Sequence, residues 1–119
     1  MLRVFVVDDE DPLRRSLVRV LGRPGFEISS YGSSEDALSG LPLEPHLIVC
    51  DYHLPRIDGI DVLRAARARC PTVKTILLSG GVRDDAITAA LEEGIIDRYF
   101  SKPWRLEELL ATVDELCGR

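Results

Sequence analysis

Lysine is almost missing from this chain. Of its 15 basic residues only Lys74 and Lys102 are lysines. Arginine supplies the ordinary surface charge, so a lysine here points to a place where a compact ammonium is wanted. Cysteine is scarce too: Cys50, Cys70 and Cys117 are an odd number without metal-type pairing, and a reducing, cytoplasmic setting fits them best. No apolar run approaches the ~20 residues that span a bilayer, so no membrane partner is expected. No signal-peptide pattern precedes the first strand candidate. Positive charge is not in surplus either. The net charge is -5, so no direct nucleic acid binding by this domain is expected. Neither "GRPG" nor "SGG" carries a P-loop lysine and there is no G-x-G-x-x-G, which leaves a nucleotide site without support.

What is present suits one globular domain with one core: 119 residues, 45% hydrophobic and 29% charged. Short apolar runs at Val4–Val7, Phe26–Tyr31, Leu47–Cys50, Thr75–Leu78 and Arg98–Phe100 read as strands. Helical patterns alternate with them. Asp11 reads as an N-cap with Pro12 in the first helical position, followed by Leu13, Leu17, Val18 and Leu21 as one apolar stripe. Ser33 with Asp36 resembles a capping box. Further helices are expected after Gly59, from about Asp84 to Glu93, and after Pro103. Five βα units in strict alternation mean a parallel sheet with helices on both faces. "LIVC" and "TILL" are apolar throughout, as burial from both sides requires, whereas "FEISSY" suits an edge.

The ends of these strands carry the chemistry, because ligands of open α/β sheets bind at the carboxyl ends. Asp8 and Asp9 follow the first strand, Asp51 the third, Ser79 the fourth and Lys102 the fifth. Three carboxylates at one rim repel one another unless something positive belongs among them. A divalent cation together with the Lys102 ammonium would neutralise the set. Oxygen-only ligands suit a hard ion such as Mg²⁺, with Mn²⁺ as a substitute. Such a site can receive a phosphoryl group: metal and lysine hold its oxygens, the Ser79 hydroxyl donates to one, and a carboxylate is a competent nucleophile at phosphorus.

The pieces "VVDDED", "IVCDYHLPRIDG", "LLSGG" and "EEGIIDRYFSKPW", in this order, resemble the receiver domain of two-component response regulators along essentially the whole chain. The resemblance implies a flavodoxin-like, doubly wound five-stranded parallel sheet with five helices and strand order 2-1-3-4-5. It implies Asp51 as phospho-acceptor, and Asp8, Asp9, Asp51 and the backbone carbonyl of His53 as metal ligands. Ser79 and Lys102 would hold the phosphoryl group, and Ser79 with Tyr99 would form the switch. Pro55 and Gly59 would shape the loop after the acceptor, and the Lys102–Pro103 peptide would be cis. Gly80 and Trp104 depart from the commoner Ala and Phe. The implied donor is a sensor histidine kinase or phosphotransfer protein. The implied output is a downstream effector, or a homodimer, through the surface of the fourth helix, fifth strand and fifth helix. Residues 1–119 would form the receiver, and an output domain beyond the C-terminus is one expected arrangement. The receiver would modify only itself, without turning over a free substrate.

Two other readings compete. A small Mg²⁺-dependent aspartyl phosphatase or phosphotransferase would want a carboxylate two positions after Asp51, where His53 stands, and a cap domain to enclose its substrate, which this chain does not show. A pseudo-receiver that only binds partners would not need the full acidic set. His46, Cys50 and His53 straddle a strand expected to be buried and lack a fourth ligand, so they read as core or loop rather than zinc. The run "RAARAR" at Arg64–Arg69 reads as a solvated helix face.

Overall fold

The computed structural model describes residues 1–118. The elements run β1 (Leu2–Val7), α1 (Asp11–Leu21), β2 (Phe26–Tyr31), α2 (Ser34–Gly40), a 3-10 turn at Leu41–Leu43, β3 (Leu47–Asp51), α3 (Gly59–Arg69), β4 (Lys74–Ser79), α4 (Asp85–Glu92), β5 (Arg98–Ser101) and α5 (Leu106–Leu116). All strand pairs are parallel, in the order β2-β1-β3-β4-β5. None of the described helices is long and apolar enough to cross a membrane.

Alternation along the strands divides the core into two layers, since successive side chains point to opposite faces. Phe5, Val7, Ile48, Cys50 and Leu77 pack with Ala37, Leu63, Ala66, Ile87 and Ala90, which puts α2, α3 and α4 on one face. Val4, Val6, Val49, Ile76 and Leu78 pack with Leu17, Leu21, Leu109 and Val113, so α1 and α5 cover the other. At ~25 cal/mol per Å² of apolar surface, this two-sided burial is the main driving force for the fold. The polar strand β2 lies at one edge, as its sequence requires, and the short β5 forms the other.

Local chemistry sets the helix starts. Ser33 Oγ accepts the Asp36 N–H, and the Asp58 and Asp84 carboxylates cap α3 and α4 in the same way. The first helix departs from expectation. Glu10, not Asp11, is its N-cap and makes no side-chain cap, so Asp11 and Pro12 both lie inside the first turn. The cause is Asp8, whose Oδ1 accepts the Glu10 N–H at 2.8 Å and turns the chain earlier. Asp11 instead pairs with Arg14 at 2.6 Å. The "RAARAR" helix also differs from a uniformly solvated face. Arg67 is half-buried, bonds Asp97 at 2.9 Å and donates to the Val73 carbonyl, thereby tying α3 to β4 and to the start of β5.

Candidate functional site

The carboxyl ends of β1, β3, β4 and β5 meet at one rim. Asp8 continues β1, its N–H donating to the Tyr31 carbonyl at 3.1 Å, and its side chain is buried. Asp9 next to it is exposed. Asp51 is the last residue of β3 and 6% exposed. One carboxylate oxygen of each lies within 4.8 Å of the others, and among the described residues no other such acidic, His or Cys cluster occurs. His46, Cys50 and His53 therefore form no zinc set.

The crowding has an electrostatic signature. Burial, then the Asp8 charge, pushes the Asp51 carboxyl up to about 6, with Lys102 and His53 pulling the other way. Burial also raises Asp8, against the pull of the Glu10 N–H. Asp8 Oδ2 is buried with no hydrogen-bond donor. A buried carboxylate oxygen without a partner costs free energy. Three carboxylates with oxygens this close, one of them keeping an orphaned buried oxygen, fit a hard divalent cation.

Ser79 ends β4 and is fully buried, its Oγ accepting the Gly81 N–H at 3.1 Å. The Lys102 N–H donates to the Ser79 carbonyl at 2.8 Å, which brings the lysine to the rim. Its Nζ lies 3.7 Å from Glu10 Oε1 and 5.8 Å from the centre of the Trp104 ring. The Lys102–Pro103 peptide is cis. Glu10 is thus the acid that holds Lys102 in this state. Sequence reasoning placed it only in an acidic run, because the turn that brings it back over β5 depends on Asp8.

Gly59 opens α3 against β3, where a Cβ would stand 2.1 Å from the Asp51 carbonyl oxygen. Pro55 and His53 are exposed in the loop between, and the His53 ring lies 4.8 Å from that of Tyr52. Tyr99 on β5 is half-buried against the α3–α4 layer, with its hydroxyl buried and unpartnered. One contact was not foreseen. The Tyr52 hydroxyl donates to Asp84 Oδ2 at 2.9 Å, linking the residue after Asp51 to the N-cap of α4. Burial and that bond push the Tyr52 phenol up to about 12. A tyrosine directly after Asp51 was the only signal available.

A doubly wound sheet with this acidic rim, serine and lysine defines a class of phosphorylatable signalling modules. The family model for the response regulator receiver domain matches residues 4–114, and the chain belongs to that family. It is 39% identical over 118 residues to the transcriptional regulatory protein PrrA of Mycobacterium tuberculosis, covering 98% of this chain and 50% of that protein. It is 36% identical over 113 residues to the hydrogenase transcriptional regulatory protein HoxA of Bradyrhizobium diazoefficiens, covering 94% and 23%. Among solved structures, a TM-score of 0.82 and 30% identity relate it to TrrA of Thermotoga maritima in complex with Mg²⁺ and beryllofluoride, covering 98% of this chain and 99% of that one. The signal receiver domain of an HD domain-containing protein from Pseudomonas fluorescens Pf-5 gives a TM-score of 0.90 at 29% identity, covering 98% and 94%. The chain spans between about a quarter and a half of the length of these curated relatives. Its function is that of a receiver, signalling through a phosphorylatable aspartate, and nothing in the family match supports a phosphatase of free substrates.

Proposed function

We propose that Asp51 is the phospho-acceptor, and that Asp8, Asp9, Asp51 and the His53 carbonyl hold a Mg²⁺ ion, with Mn²⁺ able to replace it. The observation that carries this reading is the convergence of three carboxylates at the strand ends, with one oxygen of each within 4.8 Å of the others, and the Asp8 carboxylate keeping a buried oxygen without a donor. When bound, the cation supplies positive charge for the phosphoryl oxygens and relieves the carboxylate repulsion. An Asp51 oxygen attacks phosphorus of a phosphohistidine on a sensor kinase or phosphotransfer protein. The P–N bond breaks and the electron pair stays on the histidine nitrogen. Lys102 exchanges Glu10 for a phosphoryl oxygen. Water later attacks the acyl phosphate, releasing inorganic phosphate and the free carboxylate. The chain acts on itself, in the cytoplasm. In its relatives, which carry more chain, the receiver is joined to regulatory output, and an effector segment beyond residue 119 fits that pattern. Metal-dependent labelling by a small phosphodonor tests the assignment. One acid-labile, hydroxylamine-sensitive phosphate is expected, on the peptide containing Asp51, and only with Mg²⁺ or Mn²⁺. A phosphate mapped to any other peptide would remove Asp51 from its role.

The same geometry supports a switch. Phosphorylation places new acceptor oxygens at the rim. Ser79 Oγ can donate to one of them while still accepting the Gly81 N–H, drawing the 80–83 loop with it. Tyr99 holds its inward place with an unsatisfied hydroxyl, so little opposes its moving into space that Ser79 vacates. The readout is the surface of α4, β5 and α5, used by an effector or by a second copy. As a population shift, the active form pre-exists sparsely. Beryllofluoride with Mg²⁺ should mimic the phosphate and move amide resonances at Tyr99 and across residues 84–116. Shifts confined to Asp8, Asp9, Asp51 and their loops would rule out this output face.

A further inference from the structure

The second of the two lysines, Lys74, plays no part in the phosphoryl site. It starts β4 at the opposite pole, where a cavity of about 420 Å³ opens between the amino ends of β1 and β4 and the carboxyl ends of α3 and α5. Its charged lining is one-sided. Arg3, Arg69 and Lys74 face a single acid, Glu44, in a chain whose acids outnumber its bases. Seven other described cations pair with a carboxylate, as in Arg14–Asp11, Arg23–Asp114 and Arg98–Glu115, and Arg15, Arg19, Arg83 and Arg105 do not; what sets Arg3, Arg69 and Lys74 apart is that all three line one cavity. Among the described residues, no carboxylate comes within 4 Å of the Arg3, Arg69 or Lys74 side chains. The Arg3 Nε donates to the Glu44 backbone carbonyl at 3.1 Å, which fixes that guanidinium at the wall and leaves its terminal nitrogens for another acceptor. His46 adds a neutral donor. Its Nδ1 accepts the Arg3 N–H at 2.9 Å, so the uncharged ring carries its hydrogen on Nε2.

Arg69 alone would be accounted for by the carboxyl end of α3, where cations complement the helix dipole. That account does not reach Arg3 and Lys74, which sit on strand starts. We propose that this polar cavity is a binding site for a small organic anion of two or more charges, in the size range of a tricarboxylate or a sugar bisphosphate. Three cations and a neutral donor supply its charge-assisted hydrogen bonds, while Leu2, Pro45 and Pro71 give it an apolar floor. The site lies roughly 15 Å from Asp51, about five residues along β3 and β4, so it is distinct from the phosphoryl rim.

Titration of the metal-free, isotope-labelled protein with citrate and with fructose 1,6-bisphosphate tests this. Neither compound donates a phosphoryl group to an aspartate. Saturable amide shifts are expected at Arg3, His46, Arg69 and Lys74, weakening as salt is raised. Lys74→Gln and Arg69→Gln should each weaken binding about tenfold, the worth of one charge-assisted contact. Lys74→Arg should retain most of it and Asp51→Asn all of it. Arg69 and Lys74 are exposed, so the variants at these two positions keep the fold, and their spectra report that directly. Non-saturating shifts, shifts centred on the Asp8–Asp51 rim, or unchanged binding in both charge-removing variants would overturn the site. So would a response to an acidic peptide with none to either small anion.

Discussion

Asp51→Asn is expected to do two opposite things: abolish the acyl phosphate and make the metal-free protein more stable. The first follows from removing the nucleophile, since an amide nitrogen or oxygen does not form a mixed anhydride. The second follows from the rim's electrostatics. In the folded chain the Asp51 carboxyl is pushed up to about 6, above its ordinary value of 3.8, chiefly by burial and then by Asp8. The folded state therefore holds this proton more tightly than the unfolded state does. Below about pH 4 both states are protonated and nothing is lost. Between about pH 4 and 6 the unfolded chain gives up this proton while the native chain keeps it, so stability falls across that window, by on the order of 2 kcal/mol, and levels off above about pH 7 once the native carboxyl has ionised too. Asp8, also raised, acts in the same direction. Metal-free wild-type protein should thus melt higher at pH 5 than at pH 7.5, and the asparagine variant should lose most of that slope. On the proposed metal site, millimolar Mg²⁺ would bind the native form alone and should restore wild-type stability at pH 7.5 by mass action, while moving the variant much less. Thermal melts at the two pH values, with and without Mg²⁺, check all of this. Equal pH slopes in both proteins would mean that Asp51 carries no penalty, and undiminished labelling of the variant would remove it as acceptor.

What the sequence made legible and what it hid divide along a physical line. Strand ends were readable because two-sided burial forces continuous apolar runs, and each run stops where the first polar residue stands. That is why Asp8, Asp51, Ser79 and Lys102 fall at one rim in the structure as the strand pattern requires. The strand order could not come from periodicity and rested on family resemblance. Asp8 and Asp9 are indistinguishable in sequence, yet one is buried and the other exposed, because the extra β1–β2 hydrogen bond carries the sheet one residue further. The true N-cap of α1, the Glu10–Lys102 pair and the Tyr52–Asp84 bond all depend on loop geometry, and loops carry no period to read. Arg67 looked like its arginine neighbours because helical spacing places a residue on a face without showing what the next strand presents to it.

Gly59→Ala is expected to be among the most damaging single substitutions in the chain, although it lies in the first turn of a helix, where alanine normally helps. Alanine gains up to about 1 kcal/mol over glycine in a helix. Against that stands a Cβ placed 2.1 Å from the Asp51 carbonyl oxygen, 2.9 Å from its carbonyl carbon and 3.0 Å from the Tyr52 Cα. All three are backbone atoms, so no rotamer can relieve the contact. Either α3 lifts from β3, opening the layer that buries Ile60 and Leu63, or the end of β3 shifts. Overpacking relieved by backbone movement costs about 3 kcal/mol at the severe end, which outweighs the helix gain and should lower the melting temperature by about 8 °C or more in a domain of this size. The displaced atoms belong to Asp51, the proposed acceptor. Molecules that remain folded should therefore also label more slowly, with the loss in the rate of phosphoryl transfer and not in donor affinity. Gly80→Ala and Gly81→Ala provide the control, because their added carbons would meet Lys102 Cδ and His53 Nε2 at 3.5 Å, an ordinary contact. Both should melt within about 2 °C of wild type. If Gly59→Ala joined them there and labelled at the full rate, the close seating of α3 on the acceptor strand would not be what holds Asp51 in place.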